Sequence, residues 1–229
     1  MRIHYLQHVP FEGLGSIETW ATDRGYTLCV TRLYQDDPLP NPAAFDWLIV
    51  LGGPMNIYEE DRYPWLRREK EFIGKAIGAD KVVIGICLGA QLLADVLGGR
   101  VEKNREKEIG WFPVQLTATA RTFPPFANLP QEFMAFHWHG DTFTIPPNCT
   151  LLASSAGCLH QAFSYGNKVL GLQFHLESTP NSVQALVNNC SDELVPGKYI
   201  QSPPEMMGHT DRFRAINRIM AQILSQLAS

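Results

Sequence analysis

Two short stretches of the sequence carry residue types at spacings suited to acyl transfer. The first, Gly85-Ile86-Cys87-Leu88-Gly89-Ala90-Gln91, continues the apolar run from Lys81 to Ile86 and reads as a sharp turn from a buried strand into a helix. Glycines on both sides of a nucleophile allow the tight turn and close approach that expose its side chain at such an elbow. A helix start beside Cys87 would favour thiolate over thiol through its dipole and its free backbone N–H groups. The second stretch, Gln173-Phe174-His175-Leu176-Glu177, ends the apolar strand expected from Val169 to Phe174. In an extended chain His175 and Glu177 point to the same side. The carboxylate can then hold one imidazole nitrogen while the other faces a thiol. Read together, Cys87 is the nucleophile, His175 the base and Glu177 the orienting acid.

Each stretch alone has a plainer reading. A lone cysteine is most often a small buried residue, and His-x-Glu is most often a satisfied pair; their joint occurrence points to catalysis. A rival use of histidine is His137-x-His139 with His175 as a zinc site, since alternate residues of a strand share a face. A tetrahedral site needs a further ligand, so no metal is expected. His137 is read as a packed strand residue and His139 as a pocket residue.

The elements that would position these groups alternate along the first half. Ile3 to Gln7 reads as a strand, Ser16 to Arg24 as a short helix closed by Gly25, and Thr27 to Leu33 as a second strand. Trp47 to Leu51 is a continuous apolar run ending in Gly52-Gly53-Pro54, as expected of a strand covered on both faces. Pro64 suits the first residue of a helix whose apolar positions Trp65, Leu66, Phe72, Ile73, Ala76 and Ile77 share one face. Ala90 to Leu97 reads as a further helix, ended by Gly98-Gly99. This alternation predicts an α/β fold with an open, mostly parallel sheet and helices on both faces. After Gly99 shorter strands are expected at Ile109 to Leu116 and Phe133 to Trp138. The mixed-sign run Glu102 to Glu108 reads as a solvated loop. Helical patterns return at Pro180 to Asn189 and at roughly His209 to Leu227, with a loop from Glu193 to Gly208 between them. The stripe Phe213, Ile216, Met220, Ile223, Leu224 and Leu227 is read as a docking face for the core, with a homo-oligomer interface as its alternative use.

The chain has 229 residues, enough for one sizeable α/β domain spanning 1–229, with a C-terminal helical extension from about 180 to 229. Lys plus Arg number 19 against 23 Asp plus Glu, so no basic excess would draw it to nucleic acid. No apolar stretch reads as a secretory signal or a membrane span, and a soluble, cytoplasmic protein is expected. Cys29, Cys87, Cys149, Cys158 and Cys190 form an odd set without Cys-x-x-Cys spacing, against both a disulfide framework and a zinc knuckle.

The set Gly52-Gly53-Pro54, Gly85-x-Cys87-x-Gly89-x-Gln91 and Gln173-Phe174-His175-x-Glu177 resembles the class I glutamine amidotransferases, especially free-standing relatives of the GMP synthase amidotransferase domain. Order and spacing agree over roughly residues 45 to 180, and Lys107 to Trp111 and Trp138 to Asp141 share the likeness. The resemblance implies a flavodoxin-like sheet and hydrolysis of the glutamine side-chain amide to glutamate and ammonia through a γ-glutamyl thioester, with no metal or organic cofactor. It further implies that Gly53 and Leu88 offer backbone N–H groups to the oxyanion and that Gln91 helps hold the substrate. The backbone around Trp138, His139 and Gly140 would contact the amino-acid end. Leu176 stands where many relatives carry proline, and Trp138 places a bulky wall beside the pocket.

Three functions follow from this reading. The first is an amidotransferase that hands ammonia to a synthase partner in trans, since no phosphate-cradling loop or other ATP-activating unit is visible. The second is a stand-alone γ-glutamyl peptide hydrolase using the same thioester chemistry. The third is a non-catalytic regulatory or binding protein on the same fold, disfavoured because all three triad residues and both glycine turns are present.

Overall fold

The computed structural model describes all 229 residues. Its parallel half is assembled from β1 (Arg2–Gln7), α1 (Ser16–Thr22), β2 (Thr27–Arg32), β3 (Trp47–Val50), α2 (Trp65–Gly78), β4 (Val82–Ile86) and α3 (Leu88–Val96). Next come β5 (Val101–Leu116), β6 (Glu132–Phe143), β7 (Cys149–Ser154), β8 (Ala162–Tyr165) and β9 (Val169–Leu172). The chain finishes with α4 (Pro180–Asn189), β10 (Tyr199–Ile200), α5 (Pro203–Met207) and α6 (Thr210–Leu227).

The strands form one open sheet in the order β2-β1-β3-β4-β9-β8-β7-β5-β10, with β6 also beside β5. The pairs from β2 to β9 are parallel, and β8, β7, β5 and β6 continue antiparallel. Two apolar cores lie on the two faces. Helices α1, α4 and α6 cover one with Ile17, Trp20, Val183, Leu186, Phe213 and Ile216. Helices α2 and α3 cover the other with Leu66, Phe72, Ile73, Leu92 and Leu93. Strand β4 shows why both are needed: Ile84 and Ile86 enter the first core and Val83 the second, as period-two alternation requires. All four residues of β3 are buried, the signature of a strand covered on both faces.

The expected elements of the first half appear within one or two residues, with Pro64 as the cap residue just before α2. Three expectations are corrected. The charged run is not a loop: Glu102 to Glu108 lies inside the 16-residue β5, whose pairing with β6 slips between Lys103 and Glu108. The irregular stretch keeps most charges in solvent, while Glu108 is turned fully inward. The segment 193–208 is also not structureless. Tyr199 and Ile200 pair with Glu108 and Ile109 of β5, and a capping box between Ser202 and Glu205 starts α5. The C-terminal segment is therefore not purely helical. Finally, β9 ends at Leu172, and His175 is held instead by a single bridge to Phe136.

No helix is long and apolar enough to cross a membrane. The stripe on α6 docks on the core: Phe213, Ile216, Met220, Ile223 and Leu224 are buried and Leu227 packs against the same cluster. Ile216→Ala should lower the unfolding free energy by about 2–4 kcal/mol, the range for emptying a buried aliphatic site. Denaturant unfolding at several protein concentrations checks this, and the loss should be the same at all of them because the site faces the chain's own core.

Candidate active site

In an open α/β sheet, ligands bind beyond the carboxyl ends of the parallel strands. Here those ends bring together His8 and Glu12 after β1, Gly52 and Gly53 after β3, Cys87 after β4, and His175 and Glu177 after β9.

Cys87 has φ 53° and ψ −108°, a left-handed backbone that L side chains rarely adopt. Its N–H is anchored to the Leu172 carbonyl at 2.8 Å and its carbonyl accepts from Gln91 N–H at 3.1 Å. The flanking glycines make the turn sterically feasible. A Cβ on Gly89 would strike the Val50 carbonyl, and one on Gly85 would strike the Gly89 carbonyl. The helix thus starts pressed against β3, with the cysteine at its cap and the Leu88 N–H directed at the sulfur.

His175 is positioned from three directions. Its N–H donates to the Phe136 carbonyl at 2.8 Å, and its Nδ1 lies 2.6 Å from Glu177 Oε1. Its Nε2 is buried without a hydrogen-bond partner, and the nearby Cys87 sulfur is among the groups that raise the proton affinity of the ring. The segment carrying Glu177 is clamped in turn. Ser16 N–H at the start of α1 donates to the Glu177 carbonyl at 2.9 Å. From α6, Asn217 Nδ2 donates to the carbonyls of Leu176 and Ser178 at 3.0 and 2.9 Å.

The electrostatics suit proton exchange between sulfur and imidazole. Burial works against a charged His175, yet the Glu177 carboxylate and the Cys87 sulfur together outweigh it and lift the proton affinity well above that of ordinary histidine. Burial pushes the Cys87 thiol up, partly offset by His175 and the Leu88 N–H. In the resting site the thiol points at the Trp138 carbonyl, 3.5 Å away.

These groups open into a cavity of about 490 Å³ lined by Cys87, His175, Gly53, Gln91, Trp138, His139 and Gly140. The residues expected around the substrate are therefore brought to one place, with Leu88 contributing backbone behind the sulfur. Gln91 donates to Gln173 Oε1 at 3.2 Å, and the Trp138 indole donates to Glu193 Oε1 at 3.1 Å. Glu193 also meets Lys107 at 3.3 Å, so a residue of the former "loop" braces the pocket wall.

The histidines do not gather as the rival zinc reading required. His137 and His139 converge on Glu108, not on His175, and these three buried residues are the ones that could hold a metal ion. Their hydrogen bonds already close. His139 places Nδ1 3.0 Å from the Asp141 carbonyl and Nε2 3.1 Å from Glu108, which also accepts from Ser155 at 2.7 Å and Gln161 at 2.6 Å. His137 donates from Nε2 to the Phe112 carbonyl at 3.3 Å, and burial lowers its pKa to about 3, so it stays neutral.

Sequence reasoning passed over Glu12, although its place just beyond β1, at the carboxyl edge of the sheet, was a usable signal. Its carboxylate occupies the space where a Gly52 Cβ would stand, a position 3.5 Å from His175 Cε1. Burial raises its pKa to about 7, against the pull of His175 and His8. Since this exceeds the 4.5 of an ordinary glutamate, between pH 4.5 and 7 the folded chain holds a proton that the unfolded chain releases. Stability attributable to this group therefore falls as pH rises through that window. Glu12→Gln should raise the unfolding free energy by about 3 kcal/mol at pH 8 and leave it unchanged at pH 4. Denaturant unfolding of the two proteins at both pH values reads the difference directly.

Comparison with known proteins agrees with this geometry. The profile of the family Glutamine amidotransferase class-I matches residues 16–193. The glutamine amidotransferase-like protein YfeJ of Salmonella typhimurium is 37% identical over 234 residues, covering 99% of this chain and 97% of that one. The GMP synthase [glutamine-hydrolyzing] of Thermomicrobium roseum is 36% identical over 131 residues, 57% of this chain but only 23% of the synthase. Among solved structures, a glutamine amidotransferase from Thermotoga maritima superposes with a TM-score of 0.89 at 29% identity, covering 100% of this chain and 99% of the other. On the fold, the family profile and the full-length relative together, this chain belongs to the class I glutamine amidotransferases.

Proposed function

We propose that this protein hydrolyses the side-chain amide of glutamine to glutamate and ammonia, with Cys87, His175 and Glu177 as its catalytic residues. The observation that carries this reading is the strained Cys87 elbow: a cysteine at positive φ, at the cap of α3, facing a histidine whose far nitrogen is held by a carboxylate.

Cys87 transfers its proton to His175 Nε2 as the sulfur attacks the amide carbon. The oxyanion that forms is stabilised by the N–H groups of Gly53 and Leu88, an arrangement worth about 10²–10³ in rate per donor. Glu177 keeps the imidazole oriented and supports its positive charge. His175 then gives its proton to the departing nitrogen, and ammonia leaves a γ-glutamyl thioester on Cys87. Water, deprotonated by His175, attacks that thioester, releasing glutamate and restoring the thiol. Gln91 and the backbone of Trp138, His139 and Gly140 are assigned to the amino-acid end of the substrate. No step calls for a metal or organic cofactor.

The ammonia is assigned to a synthase partner in trans. This reading is supported by the likeness to GMP synthases described as glutamine-hydrolysing, of whose length this chain matches only about a quarter. A second reading, hydrolysis of a γ-glutamyl peptide, is favoured by the cavity: about 490 Å³ lies within the roughly 300–1,000 Å³ of pockets that take ligands larger than one amino acid.

The test is glutamate release by the purified chain without nucleotide, from glutamine and from γ-glutamyl peptides in parallel. Wild-type protein should release glutamate, and Cys87→Ala should abolish it. Glu177→Gln should lower kcat by at least about a hundredfold with little change in unfolding midpoint. A γ-glutamyl chloroketone should label Cys87 stoichiometrically. Label found chiefly on Cys29, Cys149, Cys158 or Cys190, or ATP-dependent amination of an acceptor by this chain alone, would refute the assignment. Faster cleavage of the peptide than of glutamine would replace the first reading by the second.

A further inference from the structure

The proposed oxyanion site depends on a peptide of unusual freedom. Gly52 and Gly53 both lack a Cβ, so the peptide between them can rotate to present either edge to the cavity at little cost. Gly53 lines that cavity, and its N–H donates to no other backbone group. Reversed, the same peptide would offer the Gly52 carbonyl oxygen to a developing negative charge. Something must set its direction.

Two fully buried side chains meet there. His8, just beyond β1, and Glu69, on α2, both have 0% exposure. His8 Nε2 lies 2.8 Å from Glu69 Oε1, and His8 Nδ1 lies 2.8 Å from the Gly52 carbonyl oxygen. Both partners of the ring are oxygen acceptors, so both ring nitrogens donate and the imidazole carries a proton on each. Burial opposes that charge, but the Glu69 carboxylate, the Gly52 carbonyl and Glu12 together outweigh it and the pKa is raised. The ring lies against Trp65, with centroids 5.4 Å apart, and the His8 Cβ comes within 3.0 Å of where a Gly53 Cβ would stand.

Such a pair is a poor device for stability. Removing two charges from water costs several kcal/mol per ion, and an apolar pair of similar volume is often at least as stable. The second oxygen of Glu69, Oε2, is moreover buried with no partner, a cost that calls for a reason. The geometry of the peptide supplies one. The peptide group is planar and trans, so the Gly52 C=O and the Gly53 N–H point in opposite directions. With the carbonyl drawn to His8, the Gly53 N–H must project away from His8.

We propose that the buried His8–Glu69 pair is a latch that holds the Gly52–Gly53 peptide with its N–H toward the reacting carbonyl. His8 and Glu69 are positioning residues: neither touches the substrate, and both act through the direction of one peptide bond. The inference rests on the thioester reading above and adds to it what keeps the oxyanion donor in place. It separates tasks within the site, since Glu177 orients the base beyond β9 while the latch orients the oxyanion donor beyond β3, on the other side of β4.

The test compares His8→Leu, His8→Asn and Glu69→Gln in the full chain, using whichever γ-glutamyl substrate the wild type hydrolyses best. Leucine removes the donor to Gly52, whereas the asparagine amide can place an N–H near the position of Nδ1. The expected result is a kcat lowered about tenfold to a hundredfold for His8→Leu, within the cost of losing one oxyanion donor. KM should change less than threefold, and His8→Asn should recover most of the lost rate. Glu69→Gln should lower kcat about tenfold by loosening His8. Alkylation of Cys87 by iodoacetamide forms no oxyanion, so its rate should be unchanged in all three; a general collapse of the site would slow it together with hydrolysis. His8→Leu with kcat within twofold of wild type overturns the latch, as does a parallel loss of hydrolysis and alkylation that asparagine does not recover. If His8→Leu fails to fold, Glu69→Gln decides: unchanged kcat overturns the proposal, and a selective fall in kcat supports it. Failure of the wild type to release glutamate from any γ-glutamyl substrate refutes the thioester reading itself, an outcome distinct from a working enzyme indifferent to His8.

Discussion

The contact on which the site depends is the one between the end of β3 and the start of α3. The Val50 carbonyl lies where a Gly89 Cβ would be, and the Gly89 carbonyl lies where a Gly85 Cβ would be. Only with both side chains absent can the helix begin so close to two neighbouring strands. That proximity forces Cys87 into its left-handed conformation and brings the Leu88 N–H beside the sulfur. The same approach sets Gly53 against Leu88, since a Gly53 Cβ would meet Leu88 Cδ2 at 3.0 Å. The two backbone segments assigned to the oxyanion are therefore brought side by side by one packing contact, and the strain at Cys87 is maintained by the buried sheet around it.

The antiparallel half of the sheet and the C-terminal helices serve the same centre from the other side. Strand β6 supplies the Phe136 carbonyl that holds His175 and the Trp138 carbonyl that receives the thiol. Helix α6, far along the chain, returns Asn217 to the carbonyls on both sides of Glu177. Its apolar stripe is thus more than cover: burying it against the sheet sets the depth at which Asn217 meets the loop. Glu108 plays a comparable part across β5 and β6, where its bonds to His139, Gln161 and Ser155 tie the irregular middle of β5 to the pocket wall.

Legibility followed sequence distance. The parallel half could be read because each strand is a short continuous apolar run and each helix shows an apolar face, both local patterns. The elbow could be read because Gly85, Cys87 and Gly89 fall within five residues of one another, and His175 and Glu177 because they are two apart. Groups whose meaning comes from distant partners could not. Glu108 reads as one more charge in a solvated run, since the groups that donate to it lie at 139, 155 and 161. Two-residue β10 carries no periodicity of its own and exists only because β5 offers it an edge. His8 and Glu69 are separated by 61 residues and two strands, and nothing local distinguishes either from a surface residue.

The acidity of the site explains why the sulfur needs a dedicated proton acceptor. Burial, and to a lesser extent Glu12, works against a charged Cys87 sulfur, and His175 and the Leu88 N–H at the helix start offset this only in part. In the proposed reaction a thiolate is reached as His175 takes up the proton, with Glu177 held against its other nitrogen. The charge generated at sulfur must then pass to the substrate oxygen, where the nearby carboxylates would disfavour it unless N–H dipoles face it. In a pocket lined by Glu12, Glu59, Asp141 and Glu193, the direction of the Gly52–Gly53 peptide is therefore not a minor detail. It decides whether the developing charge meets a donor or yet another oxygen, and this is why two buried charges beside that peptide can be worth their desolvation.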